Sequence, residues 1–180
     1  MRNTQYELSP MDNFSEDTLF MRMALREAEQ AAAEGEVPCG AVIVLDGEVI
    51  GKAHNQTETL KDPTAHAEVL AITQATQAVG NWRLNGAVMY VTKEPCPMCA
   101  GALVLSRMKK VVWGMTDPIR GGAVSKFNIL NEADLNHAVE TEAGLMEADC
   151  KAVMQGFFQD LRLRTKEQRQ QRKLDGEETG

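Results

Sequence analysis

The 180-residue sequence has no long apolar run, no excess of basic residues and no basic start followed by an apolar segment. Its longer apolar runs, 41–45 and 100–105, are far shorter than the roughly 20 residues that a helix needs to cross a bilayer. Acidic and polar residues occupy the N-terminal region, where a secretory signal needs positive charge and then apolar residues. We therefore expect a cytoplasmic chain without a membrane span.

The net charge of −7 excludes a protein that coats nucleic acid through an overall positive potential. Any contact with RNA must then be local. One basic cluster lies near the C-terminus, in a polar segment with helical character. Its members are Arg162, Arg164, Lys166, Arg169, Arg172 and Lys173. Such a cluster fits either a solvated helix face or a nucleic-acid contact.

Four cysteines are present, and two of them, Cys96 and Cys99, have the Cys-x-x-Cys spacing of metal ligands. A second Cys-x-x-Cys is missing, so a closed site with four thiolates lacks its ligands. Cys39 and Cys150 are expected in the core, since a free cysteine commonly packs as a small apolar residue. A redox function of the pair is an alternative, but it leaves His66-Ala67-Glu68 unexplained.

Apolar residues make up 43% of the chain and charged residues 25%, which is typical of one soluble globular domain. The apolar spacing predicts alternating helices and strands, and therefore an α/β sheet covered by helices on both faces. Helices are predicted at 18–34, 64–79, 95–108 and 145–164, and strands at 41–45, 48–53, 87–92, 111–114 and 139–141. We expect a variable extension over 1–15, one folded domain over 16–164 and a disordered, basic then acidic tail over 165–180.

Three side chains are predicted to bind one metal ion: His66, Cys96 and Cys99. Zinc with three protein ligands keeps a fourth position for water and lowers the pKa of that water toward about 7, which generates a nucleophile at neutral pH. All three ligands fall at predicted helix starts, where the helix dipole favours ionised thiols. Glu68, two residues after His66, is placed to move protons without binding the metal.

His-x-Glu followed by Pro-Cys-x-x-Cys is the signature of zinc-dependent nucleobase deaminases. Further segments resemble TadA-type tRNA adenosine deaminases from about Leu19 to Arg164: 35–44, 62–68, 90–102, 106–108 and 136–158. The resemblance implies a cytidine-deaminase-like three-layer α/β/α fold with a mixed five-stranded sheet. It also implies one Zn²⁺ per subunit, a homodimer, and hydrolytic conversion of wobble adenosine to inosine in a tRNA anticodon stem-loop.

The same resemblance assigns individual residues. Glu68 carries protons, Asn55 hydrogen-bonds the base, and the backbone of Ala67 lies near the exocyclic amine. Asp117 touches RNA beside the target nucleotide, and Phe157 lines the groove for the anticodon loop. Arg120, Lys126, Arg162 and Arg164 are candidate RNA contacts.

The chain departs from the family pattern around the predicted RNA site. Lys93 stands where that family usually has an apolar residue, and the loop 118–125 differs from the usual one. Arg120 and Lys126 supply positive charge in and beside that loop.

Two other functions fit parts of the pattern. A deaminase of a free base or nucleoside, such as guanine or cytosine, would use the same zinc chemistry in a closed pocket. The basic C-terminal segment argues against it, because phosphates need such charge and a small base does not. A catalytically silent RNA-binding subunit would keep zinc for structure alone. The retention of Glu68 argues against that function.

Overall fold

The computed structural model describes residues 15–174 of the chain. The helices are α1 (Glu16–Ala33), α2 (Thr57–Leu60), α3 (Ala67–Val79), α4 (Pro97–Leu105) and α5 (Glu147–Leu174). The strands are β1 (Gly40–Leu45), β2 (Glu48–His54), β3 (Val88–Lys93), β4 (Lys110–Met115) and β5 (Glu140–Ala143), and a 3₁₀ turn covers Ile129–Asn131. Every predicted strand is present.

The strands form one five-stranded sheet in the order β2-β1-β3-β4-β5. Strand β1 runs antiparallel to β2 and β3, whereas β3, β4 and β5 are parallel, so the sheet is mixed. Asp46 and Gly47 connect β1 to β2 with φ of 51° and 81°. Positive φ at both positions is what a two-residue hairpin turn needs. The predicted hairpin is confirmed.

Helices cover both faces of the sheet. Helices α1 and α5 pack on one face, over Val42, Val44, Tyr90 and Val112. Helices α3 and α4 pack on the other, over a larger apolar core that includes Ile43, Met89, Val91, Val111 and Trp113. Because side chains alternate along a strand, the two cores take alternate residues of β1, β3 and β4. The predicted three-layer α/β/α fold is confirmed.

The helices differ from the prediction in several places, and three of these differences bear on the site or the tail. Helix α3 begins at Ala67 and not at Thr64, because Asp62 Oδ1 accepts from the backbone N–H and the hydroxyl of Thr64, both at 2.7 Å, and holds a turn there. Helix α2 was not predicted. Helix α5 continues to Leu174, so residues 165–174 are helical, which corrects the prediction of a disordered tail there.

The two chain ends lie mostly outside the described residues. Of the predicted extension over 1–15, only Ser15 is described, and its hydroxyl caps α1 by accepting from the N–H of Thr18 at 3.3 Å. The predicted tail over 175–180 falls outside as well. Within 15–174, no helix has both the length and the apolarity to span a bilayer.

Candidate active site

The three predicted metal ligands form a nearly equilateral triangle. Cys96 Sγ lies 3.6 Å from Cys99 Sγ and 3.6 Å from His66 Nδ1, and Cys99 Sγ lies 3.5 Å from His66 Nδ1. Tetrahedral zinc, at about 2.3 Å from sulfur and about 2.0 Å from nitrogen, separates two sulfurs by about 3.8 Å and sulfur from nitrogen by about 3.5 Å. The donor set therefore fits one zinc ion. These three residues are the one group of this kind found among residues 15–174.

Two helix starts bring the triangle together. His66 and Cys96 are the residues just before α3 and α4, each in extended conformation, and Cys99 lies in the first turn of α4. Neither His66 nor Cys96 caps its helix with a side-chain hydrogen bond; both side chains instead contact each other and Cys99. The positive ends of two helix dipoles thus meet at the thiols, which stabilises negative charge there.

The protonation of the triangle follows from its contacts. A hydrogen bond from Cys99 lowers the pKa of Cys96 to about 4, despite the opposing effect of burial. The same contact and burial raise the pKa of Cys99, which keeps the proton, and the bond to Cys96 raises the pKa of His66. Cys96 therefore gives up its proton more readily than an ordinary cysteine, and a thiol must lose its proton to bind a metal.

Glu68 lies beside the triangle, in the first turn of α3, and is 3% exposed. Burial raises its carboxyl pKa above the ordinary value. A carboxyl group with a raised pKa exchanges protons more readily near neutral pH, which is the property that a proton carrier needs.

A cavity of about 200 Å³ opens over the triangle. Its lining residues are Val37, Cys39, Asn55, Thr57, His66, Glu68, Lys93, Glu94 and Arg120. The structure thus brings together the predicted residues Asn55, His66, Glu68 and Arg120. Cys96 and Cys99 reach the same place through their contacts with His66.

Residues 55–59, here called the first wall, are held by one buried carboxylate. Glu36 is 1% exposed and accepts from the N–H of Thr59 at 2.7 Å and of Glu58 at 3.2 Å. It also accepts from Asn55 Nδ2 at 3.2 Å and Thr57 Oγ1 at 3.3 Å. Burial alone would raise the pKa of Glu36, but the donated hydrogen bonds hold it below the ordinary value. Asn55 is therefore fixed at the cavity.

Residues 117–125, here called the second wall, are held in the same way by Glu94. This carboxylate is 2% exposed and accepts from the N–H groups of Asp117, Val124 and Ser125 at 2.9, 3.1 and 2.9 Å. The hydroxyl of Ser125 adds a bond of 2.6 Å. Burial opposes ionisation, yet these bonds keep the pKa of Glu94 below its usual range.

Asp117 carries charge on the second wall. Its Oδ1 accepts from the N–H groups of Ile119 and Arg120, both at 3.0 Å, and its Oδ2 lies 2.6 Å from Lys93 Nζ. Although burial opposes it, Lys93 and the backbone donors lower the pKa of Asp117. The carboxylate is therefore ionised and held by its own turn.

Gly122 lets the second wall pack closely against the start of α4. Its N–H donates to Pro95 O at 2.7 Å, and a Cβ at this position would lie only 2.4 Å from Pro97 N. A side chain would push the second wall away from the residues around Cys96. The glycine is required by this close approach and not by its backbone angles.

The remaining predicted residues lie elsewhere. Ala67 is fully buried at the first position of α3, next to Glu68. Phe157 lies on α5, where its ring contacts Phe158 edge-on, and it is not among the residues lining the cavity. Lys126, Arg162 and Arg164 are exposed. Cys39 and Cys150 are buried, as predicted, and Cys39 also lines the cavity.

The sequence interpretation missed Glu36, Glu94 and the contact of Lys93 with Asp117. Both glutamates stand just before sequence motifs, in Glu-Val-Pro-Cys and Glu-Pro-Cys. The available signal is a glutamate near a proline at the end of a buried strand. Such a position is too buried for an unpaired charge, so the carboxylate must be hydrogen-bonded there.

Comparisons with known proteins agree with this site. Residues 15–162 match the MafB19-like deaminase family. The tRNA-specific adenosine deaminase of Bacillus subtilis is 49% identical over 152 residues, covering 84% of this chain and 94% of the relative. The tRNA-specific adenosine deaminase of Aquifex aeolicus is 52% identical over 143 residues, which cover 79% of this chain and 94% of that relative.

Among solved structures, one from work on A-to-I editing by tRNA:A34 deaminases at the wobble position of transfer RNA superposes with a TM-score of 0.74. It is 43% identical to this chain and covers 76% of it and 99% of its own length. The metal triangle, the buried glutamate and these similarities lead to one assignment: the chain belongs to the MafB19-like deaminases, in the family of tRNA-specific adenosine deaminases.

Proposed function

We propose that this protein hydrolytically deaminates adenosine to inosine at the wobble position of a tRNA anticodon and releases ammonia. The observation that carries the proposal is the buried Glu68 beside the His66, Cys96 and Cys99 triangle, inside a cavity that opens to solvent. The high identity to tRNA-specific adenosine deaminases supports the choice of substrate.

His66, Cys96 and Cys99 would hold one Zn²⁺ per subunit. When bound, zinc would lower the pKa of water toward about 7 and so supply a nucleophile at neutral pH. Water adds to C6 of a base that has been flipped out of the RNA stack. Glu68 takes one proton of the attacking water and passes it to the ring nitrogen. It then takes the second proton from the hydroxyl added at C6 and gives it to the leaving amine, so that ammonia departs and the C6 carbonyl of inosine forms.

The other cavity residues orient the base. Both hydrogens of Asn55 Nδ2 are engaged, by Glu36 at 3.2 Å and by Thr57 Oγ1 at 3.1 Å, so the amide has a fixed orientation. In the proposed complex Asn55 hydrogen-bonds the edge of the base, and the backbone of Ala67 lies near the exocyclic amine. A rigid amide costs little entropy when the base binds.

RNA contacts outside the cavity come from local positive charge, since the chain carries −7 overall. Arg120 lies at the cavity, and Lys126 follows the second wall. Arg162 and Arg164 are exposed on α5 and Phe157 is half-buried on the same helix, and all three would line the groove for the anticodon loop. Asp117 would contact RNA beside the target nucleotide. We place the reaction in the cytoplasm, with the tRNA anticodon stem-loop as partner.

We also propose a homodimer, in which α4 faces its copy. Leu105 of α4 is 70% exposed and lines two adjoining apolar grooves, one with Trp82 and Ile72 and the other with Leu135 and Pro97. An exposed apolar surface on the metal-binding helix is best covered by a like surface of a second copy. Leu105→Asp should convert the dimer to a zinc-loaded monomer in light scattering; an unchanged mass would contradict this interface.

The test of function is inosine formation on an anticodon stem-loop with adenosine at the wobble position. Free adenine, adenosine, cytosine and guanine are assayed beside it, with Glu68→Ala as the inactive control. Inosine in the RNA alone supports the proposal. Turnover of a free base with an inert stem-loop would assign the protein to nucleobase deamination. Absence of turnover from zinc-loaded protein on every substrate would point to a non-catalytic RNA-binding subunit.

A further inference from the structure

Lys93 is a charged residue of the cavity to which the proposed function gives no task. It is the last residue of β3 and, by strand alternation, shares the face of Met89 and Val91, which is the face under α3 and α4. Its side chain therefore extends past the end of the sheet into the cavity that Glu68 and His66 line. A lysine in this position places a positive charge within the substrate site.

The ammonium group of Lys93 is only partly engaged. It lies 2.6 Å from Asp117 Oδ2, and its side chain is 28% exposed. An ammonium group has three hydrogens to donate, and one carboxylate oxygen takes one of them. The other two can be donated to a ligand that enters the cavity without breaking the contact with Asp117.

Asp117 does not need Lys93 to stay in place. Two backbone N–H groups hold its Oδ1, and its own N–H donates to Glu94. Holding Asp117 in place is therefore not a sufficient account of Lys93. Together with Arg120, which lines the same cavity, Lys93 places two positive charges there. Of the carboxylates nearby, Asp117 pairs with Lys93, and Glu94 is buried and already accepts from four donors.

We propose that Lys93 binds a phosphodiester group adjoining the target nucleoside, and that it thereby selects a nucleotide within RNA over a free base. This inference rests on the proposed function. A base in the cavity must carry its ribose and phosphates at the rim, where Lys93 and Arg120 are. A free base offers no such group, so Lys93 adds affinity for the polymer alone.

The chain provides a matched control in Lys110. It begins β4, the parallel neighbour of β3, and lies 2.6 Å from Glu142 Oε2 with a side chain 26% exposed. Lys93 and Lys110 thus both lie at a strand end, form an ion pair of the same length and are about equally exposed. They differ in position, because Lys110 is at the opposite end of the parallel pair and does not line the cavity.

The experiment begins with inosine formation by the unaltered protein on the stem-loop, and absence of inosine there counts against the proposed function. Binding is then measured in the Glu68→Ala background, so that RNA is not consumed, for Lys93→Met, Lys93→Arg and Lys110→Met. Affinity is recorded from about 50 to about 200 mM salt, where each phosphate contact contributes about 0.7 to 1 to the slope of log K against log salt. Thermal unfolding and zinc content verify that each variant is folded.

We expect Lys93→Met to bind about tenfold more weakly at low salt, as for a lost hydrogen bond to a charged group, and to lose about one phosphate contact from the slope. Lys93→Arg should keep the slope, and Lys110→Met should match its parent. A methylphosphonate at the linkage 5′ or 3′ of the target adenosine should weaken the parent and leave Lys93→Met unchanged at one of the two positions. Two results would overturn the inference: Lys93→Met indistinguishable from Lys110→Met, or recovery of the slope when Asp117→Asn is added to Lys93→Met.

Discussion

The two walls of the cavity are built by one device but differ in chemical character. Glu36 fixes 55–59 and Glu94 fixes 117–125, each as a buried carboxylate that accepts backbone N–H groups from a segment without long regular structure. The side chains that line the cavity from the first wall, Asn55 and Thr57, are neutral, whereas Asp117 and Arg120 on the second are charged. In the proposed complex the site therefore divides its work: neutral hydrogen-bonding groups would face the base, and charged groups would face the backbone of the RNA.

The largest expected effect comes from the residue between the walls. Glu68→Ala should lower the rate of inosine formation about 10²- to 10⁴-fold, the range for loss of a general acid–base group. Single-turnover assays at saturating RNA measure this. RNA affinity and zinc content should stay near those of the parent, because neither wall is altered. A small loss of rate would mean that proton transfer has another carrier.

Breaking each wall separately should cost stability. Glu94→Ala removes the acceptor of three backbone N–H groups. Glu36→Ala removes the acceptor of two backbone N–H groups and of the side chains of Asn55 and Thr57. Since an unpaired buried donor costs about 1–3 kcal/mol, we expect a loss of about 3 kcal/mol or more in the free energy of unfolding for each. Urea denaturation checks this, with Glu58→Ala as the exposed control. Equal stability of a variant and its parent would show that water replaces the carboxylate.

The contact between the second wall and the start of α4 can be tested by a substitution at Gly122. Gly122→Ala should destabilise the fold by about 1–3 kcal/mol, the usual cost of overpacking, and should speed zinc loss to a chelator, because the added Cβ meets Pro97. The control is Gly156→Ala on α5, where a Cβ meets nothing within 4 Å. Zinc release at the same rate from both variants would show that the packing of the second wall does not affect how tightly the metal is held.

Acid should act on both walls alike, and with a smaller effect. Glu36 and Glu94 have folded-state pKa values below the ordinary 4.5, so each contributes stability that is present above about pH 4.5 and lost as the pH falls through its folded value. Unfolding midpoints in urea between neutral and acid pH should therefore fall more steeply for the parent than for Glu36→Gln or Glu94→Gln. Parallel curves would mean that other carboxylates dominate acid unfolding.

The sequence was sufficient for the metal triangle because its information is local. His66 and Glu68 are two residues apart and Cys96 and Cys99 three apart, so a helix start alone brings each pair into place. All five strands were also predicted, since apolar runs and the Asp46-Gly47 turn are local signals. The order of the strands, and with it the meeting of two helix starts, needed the structure.

The walls were not predictable because their information is not local. Glu94 accepts from residues 23 to 31 positions away, and Glu36 from residues 19 to 23 positions away. From sequence alone each is one more acidic residue. The end of α5 is ambiguous for another reason: its glutamine, glutamate, lysine and arginine residues have high helix propensity and also favour disorder.

The attachment of Glu94 to residues 117–125 has a consequence for how the protein is made. The ribosome delivers Cys96 and Cys99 before the second wall, so the nascent chain carries two adjacent thiols without the segment that packs over their helix start. Unprotected thiols are open to oxidation and to capture of other metals. Under the proposed function, zinc binding would therefore compete with these reactions until the second wall has packed against the start of α4.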